Sequence, residues 1–127
     1  MTEEKKKESK LLDTNIWLSY FLNQKYRDII EKEEGLFLSA LSLFEAQKKL
    51  HKSSLDKEAI RASIIFMKNK SIILPLTEEI ADKAAVVSAE KNLPSVDSLI
   101  YATALIHNKI VYTEDNDFRG LENARVF

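Results

Sequence analysis

A chain of 127 residues, 45% of them hydrophobic, is large enough for one globular domain with a real core, and two glycines and two prolines leave little material for flexible linkers or a loop-rich all-β fold. The absence of cysteine removes disulfides, thiolate zinc sites and cysteine nucleophiles together. Nineteen basic residues against twenty acidic ones give a net charge of −1, so any contact with nucleic acid must rest on local lysines and a bound cation rather than on a general positive surplus.

Residues 1–9 form a polar Lys/Glu leader, expected to be flexible, and 10–127 a single domain. The leader lacks the apolar core of a signal peptide, and no run approaches the roughly 18 uninterrupted apolar residues of a membrane span, so the expected location is the cytoplasm. Leu11 and Leu12 begin a short buried strand that ends at Asp13. Ile16, Trp17, Tyr20 and Phe21 recur at helical spacing and predict a helix over 15–23. Tyr26, Ile29 and Ile30 predict a second, stopping near Gly35. Leu36-Phe37-Leu38 reads as a strand, followed by helices over 41–51 and 56–69. Ser71-Ile72-Ile73-Leu74, closed by Pro75, predicts a third strand. Thr77 caps a helix over 78–91, and Pro94 with Ser95 as cap opens another over 96–107. Ile110-Val111-Tyr112 makes a fourth strand and Val126-Phe127 a fifth.

Strands joined by long helical crossovers must run parallel, with helices on both faces. The short, wholly apolar strands fit burial on both sides. The expected fold is therefore α/β, a three-layer α/β/α sandwich around a central, mostly parallel sheet of four to five short strands.

Ligands of open parallel sheets lie beyond the carboxyl ends of the strands. Asp13 ends the first strand, Asp115 follows the fourth, Asp97 stands in the first turn of one helix and Glu45 in the early part of another. All four can face one sheet edge. Each has an ordinary structural reading. Asp13-Thr14-Asn15 can cap a helix, and Ser42-Leu43-Phe44-Glu45 matches a capping box. Asp97 suits a helix dipole, and Asp115 and Asp117 suit a turn. Those readings do not explain why four caps should crowd one edge. Two carboxylates about 4 Å apart repel by roughly 4 kcal/mol at an effective dielectric near 20. Protonation relieves that repulsion, and so does a hard divalent cation. Oxygen donors without cysteine or a histidine pair select Mg²⁺ or Mn²⁺, which can polarise a phosphate and activate a water, singly or as a pair.

Other residues have simpler explanations. His51 and His107 lie near helix C-termini, where positive charge suits the dipole. Trp17 and Phe21 belong to the core face of the first helix, and Lys48, Lys49 and Lys52 to a solvated face. Asp28, Asp56 and Asp82 are scattered over exposed helical faces.

The stretches Leu11-Leu12-Asp13-Thr14-Asn15, Ser42 with Glu45, Leu93-Pro94-Ser95-Val96-Asp97-Ser98-Leu99-Ile100 with Ala102-Thr103-Ala104, and Val111 to Leu121 follow one another in a recognisable order and spacing. In these the sequence resembles the PIN-domain nucleases, particularly the compact prokaryotic type that includes VapC-like toxins. The resemblance runs from about residue 10 to the end of the chain, and the leader is longer than that type usually has. It implies a Mg²⁺- or Mn²⁺-dependent endoribonuclease in which Asp13, Asp97 and Asp115 bind metal directly or through water and Glu45 completes the acidic ring. Asn15, Thr113 and Ser42 would orient the carboxylates. Asp117 competes with Asp115 for the fourth acidic role, with Asp115 favoured because it comes first after the strand. The implied partners are an RNA substrate, a small antitoxin protein that would set an Arg or Lys against the carboxylates, and a second copy of the chain in a homodimer.

Two other functions fit parts of the pattern. A non-catalytic PIN-like module binding RNA or protein would keep the fold without the chemistry, although the presence of all four acids argues against degeneration. A phosphoacceptor receiver domain also gathers acids at strand ends, but it wants an acidic pair at the first strand and a lysine after a late one, whereas Lys109 precedes its strand.

Overall fold

A computed structural model describes residues 8–127. Most of the expected leader lies outside the described residues. Of its last two, Ser9 accepts the Ile110 amide through its carbonyl and Glu8 pairs with Arg125 at 3.0 Å and accepts the Tyr112 hydroxyl.

The elements follow in the order β1 (Lys10–Leu12), α1 (Thr14–Asn23), α2 (Arg27–Lys32), β2 (Leu36–Ser39), α3 (Ala40–His51), α4 (Lys57–Lys70), β3 (Ser71–Leu74), α5 (Glu78–Lys91), α6 (Ser95–His107), β4 (Ile110–Thr113), a 3₁₀ turn (Asn116–Phe118) and β5 (Ala124–Val126). The five strands form one sheet in the order β3-β2-β1-β4-β5, and every pairing is parallel. Leu11 pairs with Phe37 on one side and Val111 on the other.

Side-chain alternation along the strands divides the core in two. Leu12, Leu36, Leu38 and Tyr112 point to the face covered by α1 to α4, where they meet Ile16, Trp17, Ile30, Ala46 and Met67. Leu11, Leu74 and Val111 point to the other face, against Val87 of α5 and Ile100, Tyr101 and Ala104 of α6. This is the three-layer α/β/α sandwich expected from the crossovers.

Local boundaries differ in instructive ways. The second helix stops at Lys32 with Glu33 extended, so Gly35 does not cap it; at φ +76° that glycine instead turns the chain into β2. The capping box at Ser42 is incorrect. α3 begins at Ala40, its cap is Ser39, whose hydroxyl accepts the Leu41 amide at 3.1 Å, and Ser42 lies a turn inside. Ser95 is likewise the first helical residue of α6 rather than its cap, and Pro94 holds the cap position without a side-chain bond. β5 begins two residues earlier than expected, pairing Ala124 with Val111. At the sheet edge, β3 is not buried on both faces, because Ile72 and Ile73 are 57% and 37% exposed.

Candidate active site

The sheet order reverses between β1 and β4: β2 and β3 extend from one side of β1, and the chain then returns to pair β4 with the other. In an open α/β sheet such a switch point leaves a crevice at the strands' carboxyl ends, because the connections there diverge to opposite faces. Asp13 immediately follows β1 and Asp115 lies two residues past the end of β4, so both stand at this crevice.

Asp13 is buried at 5% exposure and caps α1, its Oδ1 accepting the Thr14 amide at 2.7 Å. Its Oδ2 accepts the Thr113 hydroxyl at 2.8 Å and the Asn15 side-chain amide at 3.4 Å. Thr113 Oγ1 in turn accepts from the Asp115 amide at 3.0 Å and from Asn15 at 3.3 Å. Thr113 and Asn15 are thus the two side chains hydrogen-bonded to Asp13 Oδ2. Glu45 reaches the same neighbourhood from α3, its Oε1 accepting the Thr14 hydroxyl at 3.1 Å. The Thr14 contact is not evident in the sequence, where Thr14 looks like a simple helix-start residue.

Asp97 enters from the first turn of α6. The Ser98 hydroxyl fixes that turn by donating to the Leu93 and Pro94 carbonyls at 3.2 and 2.9 Å. Carboxylate oxygens of Asp97, Asp115 and Asp117 all lie within 4.8 Å of one another. Asp117 belongs to this group because the Asp115 carboxylate accepts the Asp117 amide at 2.9 Å, winding the chain into the 3₁₀ turn that brings 117 back over the crevice. Asp115 and Asp117 therefore both contribute a carboxylate oxygen to this group. Asp13 lies outside the tight trio, although its charge is felt by Asp97. Ser42 does not support the carboxylates: its hydroxyl is buried on α3 without a hydrogen-bond partner among the described residues.

The electrostatics follow from this crowding. The Asp97 carboxyl is pushed up to about 7, first by burial and then by Asp115, with Asp13 and Asp117 adding repulsion. Burial also raises Asp13, and the Glu45 and Asp115 charges add to it, against the lowering effect of the Thr113 and Thr14 hydrogen bonds. Among the described residues no lysine or arginine forms an ion pair with these acids. A set of oxygen donors, crowded and unneutralised, matches a hard divalent cation in both charge and donor chemistry. Lys109, which a phosphoacceptor site would need in the crevice, instead lies 3.9 Å over the Phe37 ring.

A parallel α/β/α sandwich with carboxylates gathered at its switch point defines a class of acid-site, Rossmann-like domains. Within it, the chain belongs to the PIN domain family, whose model matches residues 10–123. No curated protein sequence matches it. Among solved structures, it is similar to a chain of a toxin–antitoxin complex from Klebsiella pneumoniae, with 21% identity and a TM-score of 0.80 over 93% of this chain and 97% of that one. A chain of DNA-bound VapBC from Salmonella typhimurium superposes with a TM-score of 0.79 at 19% identity, covering 95% and 98% of the two chains. VapC20 of Mycobacterium tuberculosis, a sarcin–ricin loop cleaving toxin, gives 0.69 at 17% identity, covering 90% and 95%. No described helix is long and apolar enough to cross a membrane.

Proposed function

We propose that this protein is a divalent-metal-dependent endoribonuclease and the toxin of a toxin–antitoxin pair. The observation that carries the proposal is the trio Asp97, Asp115 and Asp117, with mutually close carboxylate oxygens, no cationic partner among the described residues and Asp13 beside them. Membership of the PIN family and the likeness of the fold to chains from toxin–antitoxin complexes support it.

Asp97, Asp115 and Asp117 would hold Mg²⁺ or Mn²⁺, with Asp13 contributing directly or through water and Glu45 completing the negative ring. A bound divalent ion supplies Lewis acidity at a phosphate oxygen and a lowered pKa for coordinated water. The protein's own contribution is orientation. Thr14, Thr113 and Asn15 fix both oxygens of Asp13, and the 3₁₀ turn fixes Asp115 relative to Asp117, so little rearrangement is needed when the charge of a phosphodiester arrives. With a net charge of −1 the chain depends on the bound cation to draw a polyanion to this edge. An antitoxin could silence the site by placing an Arg or Lys among the carboxylates, a charge-assisted contact that competes with the metal.

The test is cleavage of RNA by the wild-type protein and by Asp97→Asn, with Mn²⁺ and with EDTA. The proposal expects cleavage only by wild type with metal. Equal cleavage by both proteins, or cleavage that survives EDTA, would refute it. An absence of activity on every RNA, despite demonstrable Mn²⁺ binding, would favour a non-catalytic binding module.

A further inference from the structure

In the segment Thr113-Glu114-Asp115 the first and last side chains serve the acidic crevice, and the middle one turns away from it. Glu114 Oε1 accepts the Ser19 hydroxyl at 2.8 Å, and Oε2 accepts the Tyr26 hydroxyl at 2.5 Å. Its backbone amide donates to Asn15 Oδ1 at 3.0 Å. This one residue is therefore bound to the start of α1, to its middle and to the loop beyond. Tyr26 occupies left-handed backbone at φ 60°, a conformation that a bulky L-residue adopts only when its surroundings hold it there. Those surroundings are Glu114 at its hydroxyl and Phe127 against its ring, with centroids 5.4 Å apart. Burial and Glu114 together push the Tyr26 hydroxyl up to about 12, so it remains a donor at any physiological pH.

We propose that Glu114 is a positioning residue for the metal centre: anchored to Ser19, Tyr26 and Asn15, it holds Thr113 against Asp13 and Asp115 in its ligating position. The proposal rests on the reading of Asp97, Asp115 and Asp117 as a metal site. In the metal-free protein those carboxylates repel one another, and of the three Asp117 is exposed while Asp115 is half-buried at the end of the segment that Glu114 anchors. Pinning the residue directly before Asp115 on three sides opposes that repulsion and leaves the ligands pre-arranged for the ion. Residues that orient metal ligands in this way typically change metal affinity about 10- to 100-fold when replaced.

The decisive measurement is Mn²⁺ binding, followed through the electron paramagnetic resonance signal of the free ion, on the full chain. The variants are Glu114→Ala, Glu114→Gln and Tyr26→Phe, each also melted thermally. Glu114→Ala should weaken Mn²⁺ binding about 10-fold, and Tyr26→Phe, which keeps the ring on Phe127 and loses only the hydroxyl, about 3-fold. Glu114→Gln still offers an acceptor to Tyr26 and should recover most of the affinity. At saturating Mn²⁺, the KM for RNA should be unchanged in all three. A purely structural staple would lower the melting temperature and leave Mn²⁺ affinity untouched, and that result overturns the inference. Should Glu114→Ala fail to fold, Tyr26→Phe decides: affinity equal to wild type overturns the inference and a loss supports it. A wild-type protein that binds no Mn²⁺ would instead remove the metal-site reading itself, and this inference with it.

Discussion

The Thr113 hydroxyl donates to Asp13 at 2.8 Å across 100 residues of sequence, and the same oxygen accepts the Asp115 amide at 3.0 Å. One fully buried side chain thus joins the carboxyl ends of β1 and β4 and sets the acids that follow both strands. Thr113→Val keeps the shape and removes the hydroxyl. It leaves the Asp115 amide unpaired and Asp13 short of a donor, a loss of about 1–3 kcal/mol for a buried group. Cleavage should fall at least 10-fold, and Thr113→Ser should restore it. Parallel melting curves and cleavage assays check this, and a fully active Thr113→Val would show that the bridge is dispensable.

Asp97 gives a pH signature. Its folded-state pKa of about 7 lies above the ordinary value of 3.8, so the folded protein favours the protonated carboxyl. The stability this group contributes is fully present below about pH 4 and is lost as the pH rises through about 7. The metal-free wild type should therefore lose melting temperature across that window, and Asp97→Asn should flatten the loss and melt higher at pH 8. An identical pH dependence in the two proteins would mean the crowding costs nothing. In cleavage assays the same substitution should lower activity at least 100-fold.

Bound metal should reverse the repulsion. A ligand that binds only the folded state at about 100 times its Kd stabilises by about 2.7 kcal/mol. Titration with Mn²⁺ should accordingly raise the melting temperature by several degrees, EDTA should abolish the rise, and Asp115→Asn should remove most of it. Differential scanning fluorimetry is sufficient to see this.

Glu45 stands one step back, bonded to Thr14 rather than grouped with the trio. Glu45→Gln can still accept the Thr14 hydroxyl, so the fold and melting temperature should be retained. Removing one negative charge from the ring should weaken cleavage and Mn²⁺ binding by about 10-fold, a smaller loss than for Asp97→Asn. A loss as large as that of Asp97→Asn would promote Glu45 to direct metal ligation.

Trp17 sits wholly buried between α1 and the sheet, stacked 5.8 Å from Phe21. Trp17→Ala should cost about 3–5 kcal/mol through lost burial and the cavity left behind. Denaturant unfolding would measure it, and a shift below 1 kcal/mol would mean that the neighbouring aromatics collapse into the gap.

Much of this protein is readable in one dimension because its signals are local. Apolar runs such as Leu36-Leu38 and helical repeats such as Ile16, Trp17 and Tyr20 follow from the pitch of the strand and the helix, and the crossover lengths then leave only a parallel α/β arrangement. The acids at the strand ends were visible for the same reason. The neighbourhoods of those acids could not be read locally. Whether Ser39 or Ser42 caps α3 depends on where β2 ends, a boundary decided by pairing with β1 and β3. That Asp117 joins the trio depends on a 3₁₀ turn anchored by buried Phe118. Glu114 reads in the sequence as one more acid in a loop, and its partners Ser19 and Tyr26 lie 95 and 88 residues away. Periodicity reports which face of an element avoids water, but the distance between two carboxylates is set by how whole elements pack, and that distance separates a row of helix caps from a site able to hold a divalent ion.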